Sequence, residues 1–483
     1  MVGMEKQEKI RGQVLVIPIP VQGHMNPMIQ FSKRLVTRCK GLKVTLVAAF
    51  IDPEIVLNMM QPPHDHHEEE EAEAGVAPSK SNYITLHTIP FEPSEDGTDP
   101  TTSVGTYFTH FQKVVSLRLA QLLQRQQFTC VIYDSLMPWA LDVAKQQGLF
   151  AACFFTQSNA VNAIYYNVHE GLLKVPLVDP LVPLVGLPPL EVTDLPSFVY
   201  DSLSYPSSLG HAVAQFSNFR RADCIFVNTF DSLEEEVAKW MASQEEWPVI
   251  RNIGPTIPSV YLDKRLKDDK DYGVCFFKAE VETCRKWLDT KEKDSVVYVS
   301  LGSLAALREE QMQELAWGLK RSNRHFLWVV REEEFKKLPP DFLKETADKG
   351  LIVKWCRQLE VLGHRGVGCF LTHCGWNSTL EALSLGVPMV AIPQWTDQTT
   401  NAKFVMDVWR VGIRVEVDSN GFFTRQEVEK CIRDVMEGDR GLEIKTNSSK
   451  WMKLAIQAVD EGGTSDNNIQ QFVQQLASTI RNI

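Results

Sequence analysis

Short apolar runs alternate with segments of helical periodicity along the first part of the chain. QVLVIPIP (13–20) is followed by a helical stretch, FSKRLV, and by a second apolar run, KVTLVAAF (43–50). A helix-like region near 111–124 then leads to TCVIYD (129–134). This alternation predicts βαβ units, in which consecutive strands lie parallel in one sheet and helices cover its faces.

The same rhythm restarts in the second half of the chain. It begins with SVVYVSLGS (295–303) and the helical segment 309–322. Further strand-like runs follow, namely HFLWVVR (324–330), GLIVKW (350–355), GCFLTH (368–373) and VPMVAIP (387–393). The pattern predicts two α/β domains with doubly wound parallel sheets, and the length of 483 residues also exceeds the usual size of one core.

A linker is expected between the two domains. RNIGPTIP (251–258) supplies a glycine and two prolines, and the charged stretch DKRLKDDKDYG follows it. The predicted boundaries are an N-terminal domain at 1–254, a linker at 255–280, a C-terminal domain at 281–462 and a C-terminal helix at 463–483.

The predicted last helix is amphipathic. Gly462 and Gly463 mark its start, and one of its faces carries apolar residues, Ile469, Phe472, Val473 and Leu476. An apolar helix face must be buried against another element. We expect this helix to return to the N-terminal domain.

Composition and charge narrow the function classes. The chain has 44% apolar and 23% charged residues, as globular proteins do, and its net charge of −11 argues against nucleic-acid binding. The polar N-terminus and the short, Pro-broken run after it fit neither a signal peptide nor a membrane span. Ten scattered cysteines without a CxxC pair fit a reducing compartment. We expect a cytoplasmic protein without stable membrane association, and we expect it to be a monomer.

The stretch HDHHEEEEAEAG (64–75) contains residue types that bind metals. Clustered charges of this kind are more typical of a solvated, mobile loop. The sequence therefore favours a loop here over a metal site.

The segment THCGWNSTLEA (372–382) places a histidine, a glycine and hydroxyl and amide residues in front of a predicted helix that begins at Leu380. Ser, Thr and Asn are residue types that cap helix N-termini. A helix start collects unpaired N–H groups and the positive end of the helix dipole, so it is suited to binding phosphate.

A histidine and an aspartate are expected at the ends of two strands in the N-terminal domain. His24 follows the VLVIPIP strand in a Gly-bearing loop, and Asp134 ends the TCVIYD strand. Ligands gather at the carboxyl ends of parallel strands, so the two residues can face one crevice although they lie far apart in the chain. Taken alone, His24 is also compatible with an exposed loop histidine and Asp134 with a turn cap.

The segment from Trp355 to Gln398, WCRQLEVLGHRGVGCFLTHCGWNSTLEALSLGVPMVAIPQWTDQ, carries a resemblance to a known family. It resembles the 44-residue signature box of plant family 1 UDP-sugar-dependent glycosyltransferases. PIPVQGHMNP, DSLMPWA at 134 and YVSLGSL at 298 extend the resemblance to nearly the whole chain. Within that family it is most similar to a group that glucosylates phenolic, carboxylic and steroidal acceptors. The resemblance implies the GT-B architecture, two facing Rossmann-like domains with a cleft between them.

The resemblance also implies the residues that bind the UDP-sugar. Trp355 would stack on uracil, with the Cys356 backbone pairing the base edge, and an indole face suits a flat ring. Gln358 and Glu381 would bind the ribose hydroxyls, for which a carboxylate is a suitable acceptor. The remaining implied donor contacts are His373 at the α-phosphate, Asn377 and Ser378 at the β-phosphate, Gly302 and Ser303 in a second phosphate-side loop, and Trp376, Asp397, Gln398 and Thr156 at the sugar.

Three of these residues also have an ordinary structural interpretation. Ser378 to Glu381 has the pattern of a capping box, in which Glu381 turns back onto its own helix. Taken alone, Trp355 would more often be a core residue and His373 a strand-end residue. Their joint spacing within the box favours the functional interpretation.

The resemblance further implies the chemistry. His24 and Asp134 correspond to the catalytic dyad of the family, in which the acceptor displaces UDP directly with inversion at the anomeric carbon. A histidine has a pKa suited to a general base, and a carboxylate partner fixes its tautomer. The final glutamine of the box, Gln398, indicates glucose as the sugar. Because His373 and the helix dipole would stabilise the leaving UDP, this design requires no metal and no other cofactor.

The acceptor site is predicted less sharply. Apolar and aromatic residues on loops of the N-terminal half would form walls suited to a flat or polycyclic acceptor, such as a steroid, flavonoid, terpenoid or aromatic acid. These residues are Met25, Tyr107, Phe108, Met137, Trp139 and Phe198. Each is equally compatible with an ordinary core position.

Other classes of protein fit the sequence less well. A nicotinamide dehydrogenase is disfavoured because no strand leads into G-x-G-x-x-G, and a serine hydrolase because no G-x-S-x-G occurs. A metal-dependent glycosyltransferase would need D-x-D after a strand, whereas Asp269-Lys-Asp271 lies in the charged linker, where we expect it to be solvated. A non-catalytic sugar-nucleotide sensor could keep the whole box, and the His24 and Asp134 pair is what distinguishes an enzyme from it.

Overall fold

Buried, apolar strands form a seven-stranded parallel sheet in the N-terminal half. The computed structural model describes residues 12–39, 41–51, 84–90, 104–178, 180–273 and 276–481. The strands of this half are β1 Gly12–Ile17, β2 Leu42–Ala49, β3 Ile84–Ile89, β4 Cys130–Asp134, β5 Phe150–Phe155, β8 Cys224–Val227 and β9 Ile250–Asn252, with a separate antiparallel pair, β6 Leu181–Val182 and β7 Leu190–Glu191. The spatial order in the large sheet is β3-β2-β1-β4-β5-β8-β9.

Helices connect these strands, and buried apolar clusters lie on both faces of the first sheet. The first helix begins two residues before His24, so His24 lies in a helical first turn rather than in the expected loop. The helices of this half are α1 Gln22–Arg38, α2 Val104–Arg125, α3 Pro138–Gln146, α4 Asn159–His169, α5 Ser197–Tyr200, α6 Pro206–Ala214 and α7 Glu235–Ala242.

The second half has the same architecture, with a six-stranded parallel sheet. Its strands are β10 Val296–Ser300, β11 His325–Val329, β12 Gly350–Val353, β13 Val367–Thr372, β14 Met389–Ala391 and β15 Gly412–Arg414, in the spatial order β12-β11-β10-β13-β14-β15. Its helices are α8 Val281–Asp289, α9 Glu309–Arg321, α10 Phe342–Glu345, α11 Gln358–Leu362, α12 Trp376–Leu385, α13 Gln398–Lys403, α14 Arg425–Met436 and α15 Gly438–Val459. The predicted class, two doubly wound α/β domains, is confirmed.

The last helix, α16 Thr464–Arg481, packs on the N-terminal sheet. Phe472 is fully buried and its ring contacts the rings of Phe150 and Phe226. Arg251 of β9 donates hydrogen bonds to the side chains of Gln471 and Gln475, at 2.9 and 3.1 Å. The chain therefore crosses between the domains a second time before this helix.

In each sheet the order in which successive strands are added reverses direction at one place, the topological switch point. In the first sheet this point lies between β1 and β4, and in the second it lies between β10 and β13. Open α/β sheets bind ligands at the carboxyl ends of the strands that flank such a point. A ligand-binding site is therefore expected at the switch point of each domain.

Candidate active site

One cavity of about 2500 Å³ lies between the carboxyl ends of the two sheets. His24 lines it from the N-terminal side, in the first turn of the helix that follows β1. Every residue that the sequence predicts for the donor also lines this cavity: Thr156, Gly302, Ser303, Trp355, Cys356, Gln358, His373, Trp376, Asn377, Ser378, Glu381, Asp397 and Gln398. The fold therefore brings together residues that are distant in the sequence.

His24 and Asp134 form a direct pair on the N-terminal side. The distance from His24 Nδ1 to Asp134 Oδ2 is 2.6 Å, and Asp134 is fully buried while the His24 side chain remains 23% exposed. A carboxylate can only accept, so Nδ1–H donates to Asp134 and Nε2 is the nitrogen left to take a proton. The other Asp134 oxygen accepts from the Leu136 backbone N–H at 3.1 Å, which fixes the carboxylate.

The charge environment of His24 favours a basic imidazole. Burial lowers its pKa, but the charge and hydrogen bond of Asp134, with a further contribution from Asp397, outweigh burial and raise it above its ordinary value. The Thr156 hydroxyl lies 3.1 Å from the same Nδ1. The pair thus resembles a His–Asp unit that accepts a proton at Nε2.

On the C-terminal side, helix α12 begins at Trp376, four residues earlier than predicted, with Gly375 as its N-cap. The prediction of a helix start at Leu380 is wrong, because Asn377 and Ser378 take helical backbone conformations instead of capping. They lie in the first turn, whose N–H groups have no partners within a helix. The expected anion-binding helix start therefore lies at the wall of the cavity.

His373 lies immediately before this helix and between two glycines. A Cβ atom added at Gly302 or at Gly375 would come within 2.6 Å of His373 Nε2 in either case, and Gly302 has a φ of +79°, which favours glycine. Burial lowers the pKa of His373 to about 4, although the Ser300 backbone opposes this shift. His373 is therefore neutral near pH 7, and its imidazole can stabilise an anion as a hydrogen-bond donor.

Glu381 is turned away from its own helix start. Its Oε2 accepts from Gln358 Nε2 and its Oε1 accepts from the Tyr272 hydroxyl, both at 2.8 Å. The alternative in which Glu381 closes a capping box with Ser378 is excluded by these bonds, because Ser378 instead accepts from the same Gln358 Nε2 at 2.8 Å. Burial raises the pKa of Glu381 to about 7, against the opposing hydrogen bonds from Gln358 and Tyr272.

Trp355 forms part of the cavity wall, and its ring lies 4.3 Å from that of Phe277, centroid to centroid. The Trp355 backbone carbonyl accepts from Glu280 N–H at 2.9 Å, which fixes the strand end that carries it. The neighbouring Cys356 side chain is buried, with its Sγ 3.3 Å from the Tyr298 hydroxyl. The aromatic ring of Trp355 and the backbone of Cys356 are thus adjacent in the cavity wall.

Several residues predicted near the sugar also have structural partners. The Trp376 indole N–H donates to the Asn228 backbone carbonyl across the domain interface at 2.7 Å. Gln398 accepts from the Gln394 and Trp395 backbone N–H groups through its side-chain oxygen, at 2.9 and 3.2 Å. The two Gln398 contacts hold the loop before α13 in place.

The neighbouring Asp397 is half-buried and lines the cavity. Burial raises its pKa, against hydrogen bonds from Thr396 and Asn401. Its carboxylate oxygen accepts from Asn401 Nδ2 at 2.7 Å. The side chain is thus held in one orientation beside His24, the pKa of which it helps to raise.

Three of the six residues predicted for the acceptor wall line the cavity, and three do not. Tyr107, Phe108 and Phe198 line the cavity, whereas Met25 and Met137 are fully buried in the two cores that flank the N-terminal sheet. Trp139 packs on the core beside Phe111. Met25 directly follows His24, but the helical periodicity of α1 turns its side chain inward. Met137 immediately precedes α3, and its side chain is buried in the core on the other face of the sheet.

Other side chains on this part of the wall were not predicted, namely Gln157, Tyr165, His211, Trp395 and Thr396. Trp395 and Thr396 immediately precede Asp397, so their place in the signature box is a signal that identifies them. Tyr165 and His211 lie in helices without any local motif, and the folded structure is needed to find them.

The expectation that Asp269 is solvated is also wrong. Asp269 is buried and accepts from the Ser259 N–H at 2.7 Å, from Lys33 at 2.9 Å and from Gln30. It ties the linker to α1 as a structural ion pair. The stretch 64–75 lies outside the described residues, and no cluster of three metal-binding side chains occurs within the described ones. None of the described helices combines the length and apolar character that crossing a bilayer requires.

Two facing doubly wound domains with a cavity between their strand ends define the GT-B class of glycosyltransferases. Comparison with known proteins supports this assignment to the glycosyltransferases. A family model described as UDP-glucoronosyl and UDP-glucosyl transferase matches residues 276–451. The chain is 47% identical over 470 residues to UDP-glycosyltransferase 74E2 of Arabidopsis thaliana, covering 95% of this chain and 98% of that protein.

Further relatives extend the comparison. Mogroside I-E synthase of Siraitia grosvenorii is 46% identical over 477 residues, covering 98% of this chain and all of that one. The crystal structure of Os79 from O. sativa in complex with UDP superposes with a TM-score of 0.84 at 36% identity, covering 96% of this chain and 100% of that one. This chain belongs to the plant UDP-glycosyltransferase family. It is a glycosyltransferase that acts on small-molecule acceptors.

Proposed function

We propose that this glycosyltransferase moves glucose from UDP-glucose to a hydroxyl, or carboxyl, group of a hydrophobic small molecule with inversion at the anomeric carbon. The observation that carries the proposal is the 2.6 Å pair of His24 and Asp134 at the wall of the cavity that His373 and the start of α12 line from the other side. A base and an anion site thus face each other across one space.

In the proposed reaction, the oxygen of the acceptor hydroxyl attacks C1 of glucose while His24 Nε2 accepts the proton of that hydroxyl. The C1–O bond to the β-phosphate breaks at the same time and UDP leaves. Asp134 stabilises the imidazolium that forms. The departing phosphates receive hydrogen bonds from His373, Asn377, Ser378 and the N–H groups at the start of α12.

The residues that line the C-terminal side of the cavity and Thr156 bind UDP-glucose in this proposal. Trp355 stacks on uracil, the Cys356 backbone pairs its edge, and Gln358 and Glu381 bind the ribose. Gly302 and Ser303 approach the phosphates from the β10 side. Thr156, Trp376, Asp397 and Gln398 contact glucose; a carboxylate and an amide are suited to several sugar hydroxyls.

The aromatic part of the cavity supports a hydrophobic acceptor. Tyr107, Phe108 and Phe198 line the same cavity as His24. Related enzymes support this class, since Os79 has been crystallised with a trichothecene and Phytolacca americana UGT2 with pterostilbene. We include steroids, flavonoids, terpenoids and aromatic acids in the proposed acceptor class.

The arrangement supplies stabilisation of the leaving group from protein donors, so we propose that no metal is required. The nine described cysteines are free thiols, which supports the proposed location in a reducing cytoplasm. We also propose that the chain acts as a monomer, because one copy contributes both the base and the anion site.

The deciding experiment measures UDP release from UDP-glucose with a panel of steroids, flavonoids and aromatic acids, with and without EDTA, and identifies products by mass. An adduct of hexose mass with at least one acceptor, also formed in EDTA, is the expected result. Alkali-stable adducts would be glucosides and alkali-labile ones glucose esters. Tight UDP binding without any adduct would instead indicate a non-catalytic sugar-nucleotide sensor.

A further inference from the structure

Tyr272 reaches the nucleotide side of the cavity from the linker between the domains. Its hydroxyl donates to Glu381 Oε1 at 2.8 Å, and its side chain lines the cavity. Burial and the neighbouring Glu381 raise the pKa of Tyr272 well above its ordinary value, so the phenol keeps its proton and remains a donor.

Glu381 depends on this bond for its orientation. Its other oxygen, Oε2, accepts from Gln358, which itself accepts from the Tyr298 hydroxyl at 3.1 Å. The two donors hold the two carboxylate oxygens from opposite sides and leave lone pairs for further partners. Without Tyr272 one oxygen would lose its protein donor, and the carboxylate would be free to rotate about its side-chain torsions.

The linker that carries Tyr272 is anchored to the N-terminal domain. Lys33 of α1 donates to the Asp271 backbone carbonyl at 2.6 Å and to Asp269 Oδ1 at 2.9 Å. The same helix carries His24 in its first turn. The position of the Tyr272 hydroxyl therefore depends on α1, although its hydrogen-bond partner belongs to the C-terminal domain.

We propose that Tyr272 is a positioning residue for the donor, which holds the Glu381 carboxylate in the orientation that binds the two ribose hydroxyls of UDP-glucose. This inference rests on the proposed function, because it takes Glu381 as the ribose ligand. It adds a residue outside the signature box and gives the linker a part in nucleotide binding.

The ionisation of Glu381 gives a readout that a purely structural role of Tyr272 would not affect. The titratable groups around Glu381 are the phenols of Tyr272, Tyr261 and Tyr298, with the Lys33–Asp269 pair beyond Tyr272, and burial raises the pKa of all three phenols. The phenols stay neutral near pH 7, where Glu381 titrates. A donated hydrogen bond favours the charged carboxylate, so removal of the Tyr272 hydroxyl raises the pKa of Glu381 further.

The test compares Tyr272→Phe with Tyr261→Phe by calorimetric titration with UDP over a series of pH values. Tyr261 is also in the linker and lines the same cavity, and the same atom is removed, but its hydroxyl makes no hydrogen bond to Glu381 among the described contacts. For Tyr272→Phe we expect UDP to bind about tenfold more weakly at neutral pH, as expected for one lost hydrogen bond to a charged group. We also expect the loss of affinity on acidification to begin at a higher pH.

In turnover assays the Tyr272→Phe effect should appear in KM for UDP-glucose with little change in kcat. Equal UDP affinity and the same pH profile in the native protein and in Tyr272→Phe would overturn the inference, as would equal losses in both variants. If the native protein itself does not bind UDP, the proposed function fails instead, so the two failures are distinguishable.

Thermal melting of each variant establishes that it folds. If Tyr272→Phe does not fold, Lys33→Met takes its place, because it keeps Tyr272 but releases the linker from α1. A severalfold loss of UDP affinity in Lys33→Met supports the inference, and an unchanged affinity contradicts it.

Discussion

A histidine lies at the switch point of each sheet, and the pKa values of the two histidines are shifted in opposite directions. His24 follows β1 and His373 follows β13, each at the carboxyl end of a strand that flanks the switch point of its sheet. A carboxylate beside His24 raises the pKa of its imidazole, whereas burial without such a partner lowers the pKa of His373 to about 4. Topology thus selects the location of a site, and the neighbouring side chain determines whether the histidine works as a base or as a neutral donor.

The strongest test of this difference removes the base. His24→Ala should lower kcat/KM by about 10³-fold, because a positioned general base contributes on the order of 10² to 10⁴. UDP affinity, measured by calorimetry, should stay near the native value because the nucleotide contacts lie in the other domain. Unchanged turnover would show that His24 is not the base.

The next test keeps the histidine but removes the charge beside it. Asp134→Asn should lower kcat/KM by about 100-fold, since the imidazolium loses its stabilising charge and the tautomer is no longer fixed. In the native protein kcat/KM should rise with pH as His24 loses its proton, through a pKa above 6.5. Without Asp134, burial lowers that pKa, so the rise should move to lower pH.

The pH profile of Asp134→Asn separates this effect from a general loss of structure. A rise that stays at the native pH would mean that Asp134 does not set the pKa of His24. Circular dichroism of both proteins provides the control for folding.

The smallest effect is expected at the other histidine. His373→Gln should weaken UDP binding by about tenfold, because an amide can replace the neutral donor but not its geometry. Since the native imidazole is already neutral, the pH at which His24 titrates in kcat/KM should not move. A shift of that pH would show that His373 carries charge in the working enzyme, and the two histidines would then be alike.

Much of the fold could be predicted from the sequence because strand burial leaves a direct pattern. Apolar runs such as VLVIPIP and TCVIYD are continuous since both faces of a parallel sheet are covered. The start of α12 could not be placed, because Asn377 and Ser378 are cap-forming types that here take helical positions. Gly375 is the N-cap instead, so the capping preference of Asn377 and Ser378 did not decide where the helix begins.

The site could be predicted only where a motif carries it. Most donor residues lie in one box, and its resemblance to the family assigns them a common ligand from the sequence alone. Tyr272 lies in a charged linker without periodicity, and its partner Glu381 is 109 positions away. For Met25, closeness to His24 in the chain was misleading, because a helix turns successive residues to different sides.

The return of α16 to the first sheet has a consequence for synthesis on the ribosome. Phe472 and its neighbours Ile469 and Leu476 complete a core whose other buried members precede residue 254. At translation rates of about 5 to 20 residues per second, the first half waits roughly ten to forty-five seconds for this helix to be made. During that time the apolar side chains of β5 and β8 that Phe472 covers in the folded protein, Phe150 and Phe226, have no partner from this helix.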